Sequence, residues 1–189
     1  DPKRHLDFSP DEHPLALQLG GSDPQQLSVA CRIAEECGYD EINLNVGCPY
    51  AMVAKKGRGS GLLPHPDAVR TVLDALCSSG TFHLSVKIRL GQHRPEELDG
   101  FIPILNNYPL SRVTIHPRIG KQMYRGTVDL GGFERAARSC IHPVVYNGDI
   151  FDYGMFEVLR ERFPEIDSWM IGRAALMDPF LPEEIRTGT

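Results

Sequence analysis

Six short β-rich apolar runs, with helical patterns between them, constrain this 189-residue chain more than any other feature. The runs are Leu15–Leu19, Glu41–Val46, Leu84–Ile88, Arg112–Ile115, Pro143–Tyr146 and Trp169–Ile171. Their spacing is that of a βα unit with its loops. After the first run, Ser22 is placed to cap a helix with Pro24 in its first turn. Leu27, Ala30, Cys31 and Ala34 then recur at i, i+3, i+4 and i+7, and Gly38 ends the pattern. Cys31 on that stripe reads as core packing. A second helix starts near Pro66 and carries Val69, Val72, Leu73 and Leu76. A third, around Pro95–Asn107, is expected to break or kink at Pro103. Phe133, Ala136 and Ala137 mark a fourth, and Met155, Phe156, Leu159 and Phe163 a fifth. Such repetition makes a parallel sheet covered by helices, in one domain with residues 1–13 as a polar lead-in.

A doubly wound sheet and a (β/α)8 barrel both satisfy that pattern. They differ in where the chemistry gathers. A doubly wound sheet collects its site at one switch point, from few strands. A barrel brings every strand end to one mouth. Here every run ends in a polar or glycine signature. These are Gln18-Leu-Gly-Gly21, Asn43-Leu-Asn-Val-Gly-Cys-Pro49, Lys87-Ile-Arg89, His116-Pro-Arg118, Asn147-Gly-Asp149 and Gly172-Arg173. That favours a TIM-barrel type of α/β fold. A complete barrel takes about 250 residues, so the expectation is an incomplete one of about six βα units.

Composition removes other classes. At 41% hydrophobic and 24% charged residues the chain can bury a core, which excludes wholesale disorder. No apolar run approaches the roughly 20 residues of a membrane span. The polar start Asp-Pro-Lys-Arg-His shows no signal peptide, and without an initiator Met a processed product or fragment is the expectation. The net charge of −5 argues against a globally basic nucleic-acid binder, DNA included, but leaves room for a local basic patch. Cys31, Cys37, Cys48, Cys77 and Cys140 are odd in number and contain no Cys-x-x-Cys, so neither a zinc site nor a disulfide framework is expected. Reduced thiols in a cytoplasmic, metal-free protein are the default.

Candidate site residues sit at the strand ends. Asn147, Gly148 and Asp149, with Gly172 and Arg173, close the last two strands, where barrels hold phosphate on backbone N–H groups. Lys87 and Arg89 share one strand face, as do His116 and Arg118 on the next. Cations crowded into a mouth call for an anionic ligand. Cys48 follows a strand on a Gly-Pro turn, where a thiol can act as nucleophile or proton donor. Lys55, Lys56 and Arg58, with the following glycines, offer a polyanion contact beside it. Gly57, Gly59 and Gly61 match neither a dinucleotide nor a P-loop fingerprint.

The ordered series Gln18-Leu-Gly-Gly, Glu41-Ile-Asn-Leu-Asn-Val-Gly-Cys-Pro, Gly57-x-Gly-x-Gly-Leu-Leu, Val86-Lys-Ile-Arg-Leu-Gly, Ile115-His-Pro-Arg, Asn147-Gly-Asp and Ile171-Gly-Arg-Ala resembles the tRNA-dihydrouridine synthase family from about residue 14 to 180. The resemblance implies an FMN-bound (β/α)8 barrel that reduces particular uridines of tRNA to 5,6-dihydrouridine, with NADPH as reductant. It implies Cys48 as the group that protonates C5 while hydride reaches C6. It implies flavin contacts at Gln18, Lys87 and His116, and an FMN phosphate held by Asn147, Gly148, Asp149, Gly172 and Arg173. Asn45 and Arg118 match positions near the base or the tRNA backbone. Arg89, Lys55, Lys56 and Arg58 join them as substrate candidates. A target base would have to be flipped out to reach the site.

Against the family pattern, the present strands correspond to strands three to eight. Two N-terminal βα units and a C-terminal helical tRNA-binding domain are the expected missing parts, and self-association through open barrel edges is the expected consequence. Two other functions stay open at this stage. One is an FMN-dependent reductase or dehydrogenase of free pyrimidines. The other is a non-catalytic partial barrel that binds tRNA or a protein partner.

Overall fold

The computed structural model describes residues 3–188. Its centre is one sheet of six parallel strands in the order β1-β2-β3-β4-β5-β6. They are β1 (Ala16–Leu19), β2 (Glu41–Val46), β3 (His83–Gly91), β4 (Leu110–Ile119), β5 (Val144–Tyr146) and β6 (Ser168–Trp169). Strand order follows chain order with no reversal, so there is no switch point. That is the topology of a barrel wall rather than of a doubly wound sheet. β1 and β6 are the two edges, and the wall stands open between them.

The helices are α1 (Lys3–Leu6), α2 (Pro24–Glu36), α3 (Ala51–Ala54), α4 (Pro66–Cys77), α5 (Glu97–Leu105), α6 (Leu130–Ser139), α7 (Tyr153–Arg162), α8 (Arg173–Met177) and α9 (Leu181–Thr187). None is long and apolar enough to cross a membrane. The outward strand positions are apolar. Ile42, Leu44, Val46, Val86, Ile88, Val113, Ile115 and Tyr146 are all fully buried, and they share the core with Leu27, Val69, Leu73, Phe101 and Phe133 of the helices. Most inward positions are polar, Gln18, Asn43, Asn45, Ser85, Lys87, Arg89, Thr114 and His116 among them, with Ala16 and Val145 as apolar exceptions. Period-two alternation thus separates a greasy outer layer from a polar lumen.

Local readings differ from the structure in three places. The cap of α2 is Asp23, not Ser22: its carboxylate accepts from the Gln25 and Gln26 N–H groups, which the residue one position earlier does not reach. α5 runs through Pro103 without ending. Pro103 is exposed while Leu98, Phe101, Ile102, Ile104 and Leu105 are buried, so apolar packing outweighs one missing hydrogen bond. On α7, Met155 is exposed and the buried stripe is Phe156, Leu159 and Phe163. Cys31 is fully buried, and burial, then Glu35, pushes its thiol up to about 11.

Candidate active site

The C-terminal ends of the strands surround a cavity of about 410 Å³, within the usual range for small-molecule sites. Gln18, Asn45, Cys48, Lys87, Arg89, His116, Asn147, Gly148, Asp149, Gly172 and Arg173 all line it. Arg118, Lys55, Lys56 and Arg58 do not. Lys55, Lys56 and Arg58 are exposed on the rim outside it.

One end of the cavity is formed by the turns after β5 and β6. The turn after β5 passes through Gly148, where a Cβ would sit 3.1 Å from the Pro117 ring and 3.3 Å from the Tyr146 hydroxyl, a tight fit that these neighbours would have to ease. Gly172 opens α8 with no atom near the place a Cβ would take. Asn147 ties the two turns together by donating from Nδ2 to the Met170 carbonyl at 2.9 Å. Arg173, exposed, supplies a cation at the lip and also reaches Asp149 at 3.2 Å. Asp149 itself faces Arg118 through a two-point contact, at 2.9 Å from Nη1 and 2.5 Å from Nη2. These hydrogen bonds hold its carboxyl below the ordinary value of 3.8, against the effect of burial.

The middle of the cavity carries Lys87 and His116. Burial, then Arg89, pushes the Lys87 ammonium down to about 8. Burial, then Arg89, Lys87 and Arg118, pushes His116 down to about 3, so the ring is neutral at physiological pH. Its Nδ1 is buried without a partner. A ring nitrogen left so in a cavity wall is a place where a ligand finds a hydrogen bond.

The depressed His116 value sets a stability prediction. Between pH 6.5 and 3 the unfolded chain protonates this ring and the folded chain does not. The unfolded state then binds more protons, so stability falls as pH falls, with a slope of roughly 1.4 kcal/mol per pH unit from this group. Asp149 adds its own loss only below its ordinary 3.8. Urea midpoints across this window should fall less steeply in His116→Gln than in the parent. Parallel curves would assign the acid sensitivity to other groups.

The rim opposite the turns after β5 and β6 is the Cys48 turn. It is clamped from two sides. Asn45 Oδ1 accepts from the Gly47 N–H at 3.1 Å and the Cys48 N–H at 2.8 Å. Ser60 donates to the Cys48 carbonyl from its backbone N–H at 3.0 Å and from Oγ at 2.9 Å. Gly59 lies against Cys48 at φ +55, and a Cβ there would fall 2.6 Å from the Cys48 carbonyl oxygen. The glycine-rich segment after Arg58 is therefore a buried backing for the thiol, while the cations before it stay in solvent.

The two arginines read as substrate groups are engaged inside the protein. Arg89 donates from Nη1 to the carbonyls of Ile119, at 3.0 Å, and Met123, at 2.6 Å. Arg118 is 2% exposed and also donates to the Gly126 carbonyl at 2.6 Å. Both staple the loop after β4. Strand spacing predicts which face they share but not which carbonyls claim their donors. That loop carries Tyr124, which the sequence reading missed. Its ring lies in the cavity wall between the guanidinium groups of Arg89, at 5.2 Å, and Arg173, at 4.7 Å. Nothing periodic marks it; the only signal is an aromatic residue among Gly, Lys and Arg after a strand end.

An open parallel α/β barrel, with two glycine turns and Arg173 at one end of its mouth and a clamped thiol at the other, defines the class of protein. The chain belongs to the dihydrouridine synthase (Dus) family, whose model matches residues 1–188. It is 35% identical over 199 residues to the tRNA-dihydrouridine(20/20a) synthase of Synechocystis sp., covering 96% of this chain and 57% of that one. To the Pseudomonas aeruginosa protein of the same name it is 35% identical over 193 residues, with the same coverage of 96% and 57%. The chain thus spans somewhat over half the length of these relatives. Among solved structures it is similar to morphinone reductase, with a TM-score of 0.65 at 16% identity over 87% of this chain and 48% of that one. The old yellow enzyme from Trypanosoma cruzi gives a TM-score of 0.63 at 14% identity over 87% and 48%. At such identities the likeness shows the fold alone.

Proposed function

We propose that this chain is the barrel portion of an FMN-dependent enzyme that reduces uridines in tRNA to 5,6-dihydrouridine, with NADPH as reductant. The observation that carries the reading is the placement of Cys48 in the wall of the cavity whose other end is the Gly148, Gly172 and Arg173 cradle. The residues fit a flavin mononucleotide on their own chemistry. The two glycines and Arg173 suit its phosphate, and the unpartnered Nδ1 of His116 and the amide of Gln18 suit its polar ring edge. When bound, the flavin supplies hydride to uracil C6.

This chain's residues do the remainder. Cys48 gives the proton that C5 requires, from a turn whose backbone is held on both sides. Lys87, positively charged below about pH 8, offsets negative charge in the cavity. Neutral His116 provides one donor and one acceptor without adding charge. Arg118 and Asp149 hold the Tyr124 loop against the phosphate turn. Lys55, Lys56 and Arg58, outside the cavity on the same rim, favour a polyanionic substrate over a free base.

The deciding experiment incubates the chain with FMN and NADPH, and separately with unmodified tRNA or free uracil. Retained flavin, and dihydrouridine formed in the tRNA alone, is the expected result. Reduction of free uracil with none of tRNA would replace this reading with a pyrimidine reductase.

A further inference from the structure

A one-way chain of side-chain hydrogen bonds runs along the lumen from the far end of β2 to the Cys48 turn. At its start, the Glu41 carboxylate accepts from Arg112 Nε at 3.2 Å and from Ser85 Oγ. Ser85 Oγ accepts from Asn43 Nδ2 at 2.7 Å. Asn43 Oδ1 accepts from Gln18 Nε2 at 2.7 Å. Gln18 Oε1 accepts from Asn45 Nδ2 at 2.8 Å. Asn45 Oδ1 then faces the N–H groups of Gly47 and Cys48. Glu41, Asn43 and Ser85 are buried, and Glu41 is otherwise remote from the cavity.

The direction of this chain follows from its first member. An ionised carboxylate only accepts, so the Ser85 hydroxyl must spend its one hydrogen on Glu41. Its oxygen must then accept from an amide NH₂, which turns Asn43. Asn43 turned this way presents its oxygen to Gln18, and Gln18 to Asn45 in the same sense. Each amide could be flipped in isolation, since its two ends have the same shape. Between Glu41, which accepts from Ser85, and the Gly47 and Cys48 N–H groups, which only donate, one orientation satisfies every link. The last link is the one that matters for the thiol: a flipped Asn45 would put NH₂ against two backbone N–H groups and release the turn.

We propose that Glu41 is a positioning residue for Cys48, acting through Ser85, Asn43, Gln18 and Asn45 to fix the amide that holds the Cys48 turn. Its meaning for catalysis rests on Cys48 being the proton donor of the proposed reaction, but the positioning itself does not. Glu41→Gln keeps shape but puts an NH₂ where the series needs an acceptor, so only the Gly47 and Cys48 N–H groups are left to set its direction.

The test follows iodoacetamide alkylation of each cysteine by peptide mass spectrometry, in the 189-residue chain without flavin or tRNA. In Glu41→Gln the rate at Cys48 should change by about tenfold, the equivalent of one net hydrogen bond, while the rate at Cys140 stays as in the parent. Asn45→Ala should produce the same change, and Glu41→Gln on that background should add nothing. Ser85→Ala, which leaves the Glu41–Arg112 ion pair, should reproduce the effect, and Ser85→Thr, which keeps the hydroxyl, should restore the parent rate. If Glu41→Gln unfolds, shown by rapid alkylation of buried Cys31, the Ser85 pair decides alone. An unchanged Cys48 rate, a change shared equally with Cys140, or additive effects of Glu41→Gln and Asn45→Ala would each overturn the proposal. Loss of the Cys48 response with Cys48 still essential for turnover sinks this inference alone. A clear response with turnover intact in Cys48→Ala sinks the functional reading alone.

Discussion

Cys48→Ala should abolish dihydrouridine formation while flavin retention stays close to that of the parent. The thiol lines the cavity on the turn after β2, whereas Gly148, Gly172 and Arg173, the residues proposed to hold the phosphate, follow β5 and β6. Removing Sγ deletes a proton donor but none of the groups assigned to the phosphate. The turn itself should persist, because Asn45 and Ser60 hold its backbone rather than its side chain. General-acid groups contribute roughly 10²–10⁴-fold, so turnover should drop by that order. Single-turnover reduction of an unmodified tRNA transcript, with flavin absorbance read on the same sample, separates the two effects. Parent-like turnover would take Cys48 out of the mechanism. Equal loss of turnover and flavin would mean the turn had collapsed.

The path from sequence to this site was uneven for physical reasons. β2 was legible to the residue, because Glu41–Val46 is a buried parallel strand whose apolar run ends at a Gly-Cys-Pro turn. β3 and β4 extend beyond their apolar runs to His83–Gly91 and Leu110–Ile119, since polar residues at their ends face the lumen and still pair in the ladder. The inward face of Lys87, Arg89 and His116 followed from period two alone. What each side chain does there could not follow, because it depends on partners distant in the chain. Arg89 meets the carbonyls of Ile119 and Met123, and Arg118 meets Asp149. A cation at a strand end looks the same in sequence whether it faces a ligand or a loop carbonyl. Nor does the sequence show that Asn45, which lines the cavity, also spends Oδ1 on the Cys48 turn and Nδ2 on Gln18.

Asp149→Ala should cost the chain about 3–5 kcal/mol of stability, the typical effect of removing one partner from a buried ion pair. Arg118 is the reason. Its side chain is 3% exposed, its Nε already lacks a partner, and without Asp149 only the Gly126 carbonyl remains to its guanidinium. The cation cannot discharge in water or by losing a proton, so the penalty falls on the folded state. The backbone adds a smaller cost, since Asp149 sits at φ 35, where Asp and Asn are tolerated better than Ala. Asp149→Asn keeps that tolerance and removes only the charge, so its loss should be smaller but of the same origin. Arg118→Met in the Asp149→Ala background removes the stranded cation and should recover much of the stability. Urea denaturation of the parent, Asp149→Ala, Arg118→Met and the double variant gives the cycle directly. If Asp149→Ala costs under about 1 kcal/mol, the range of exposed pairs, Arg118 has another way to be satisfied, and the Asp149 carboxylate is free to serve the cavity instead of the fold.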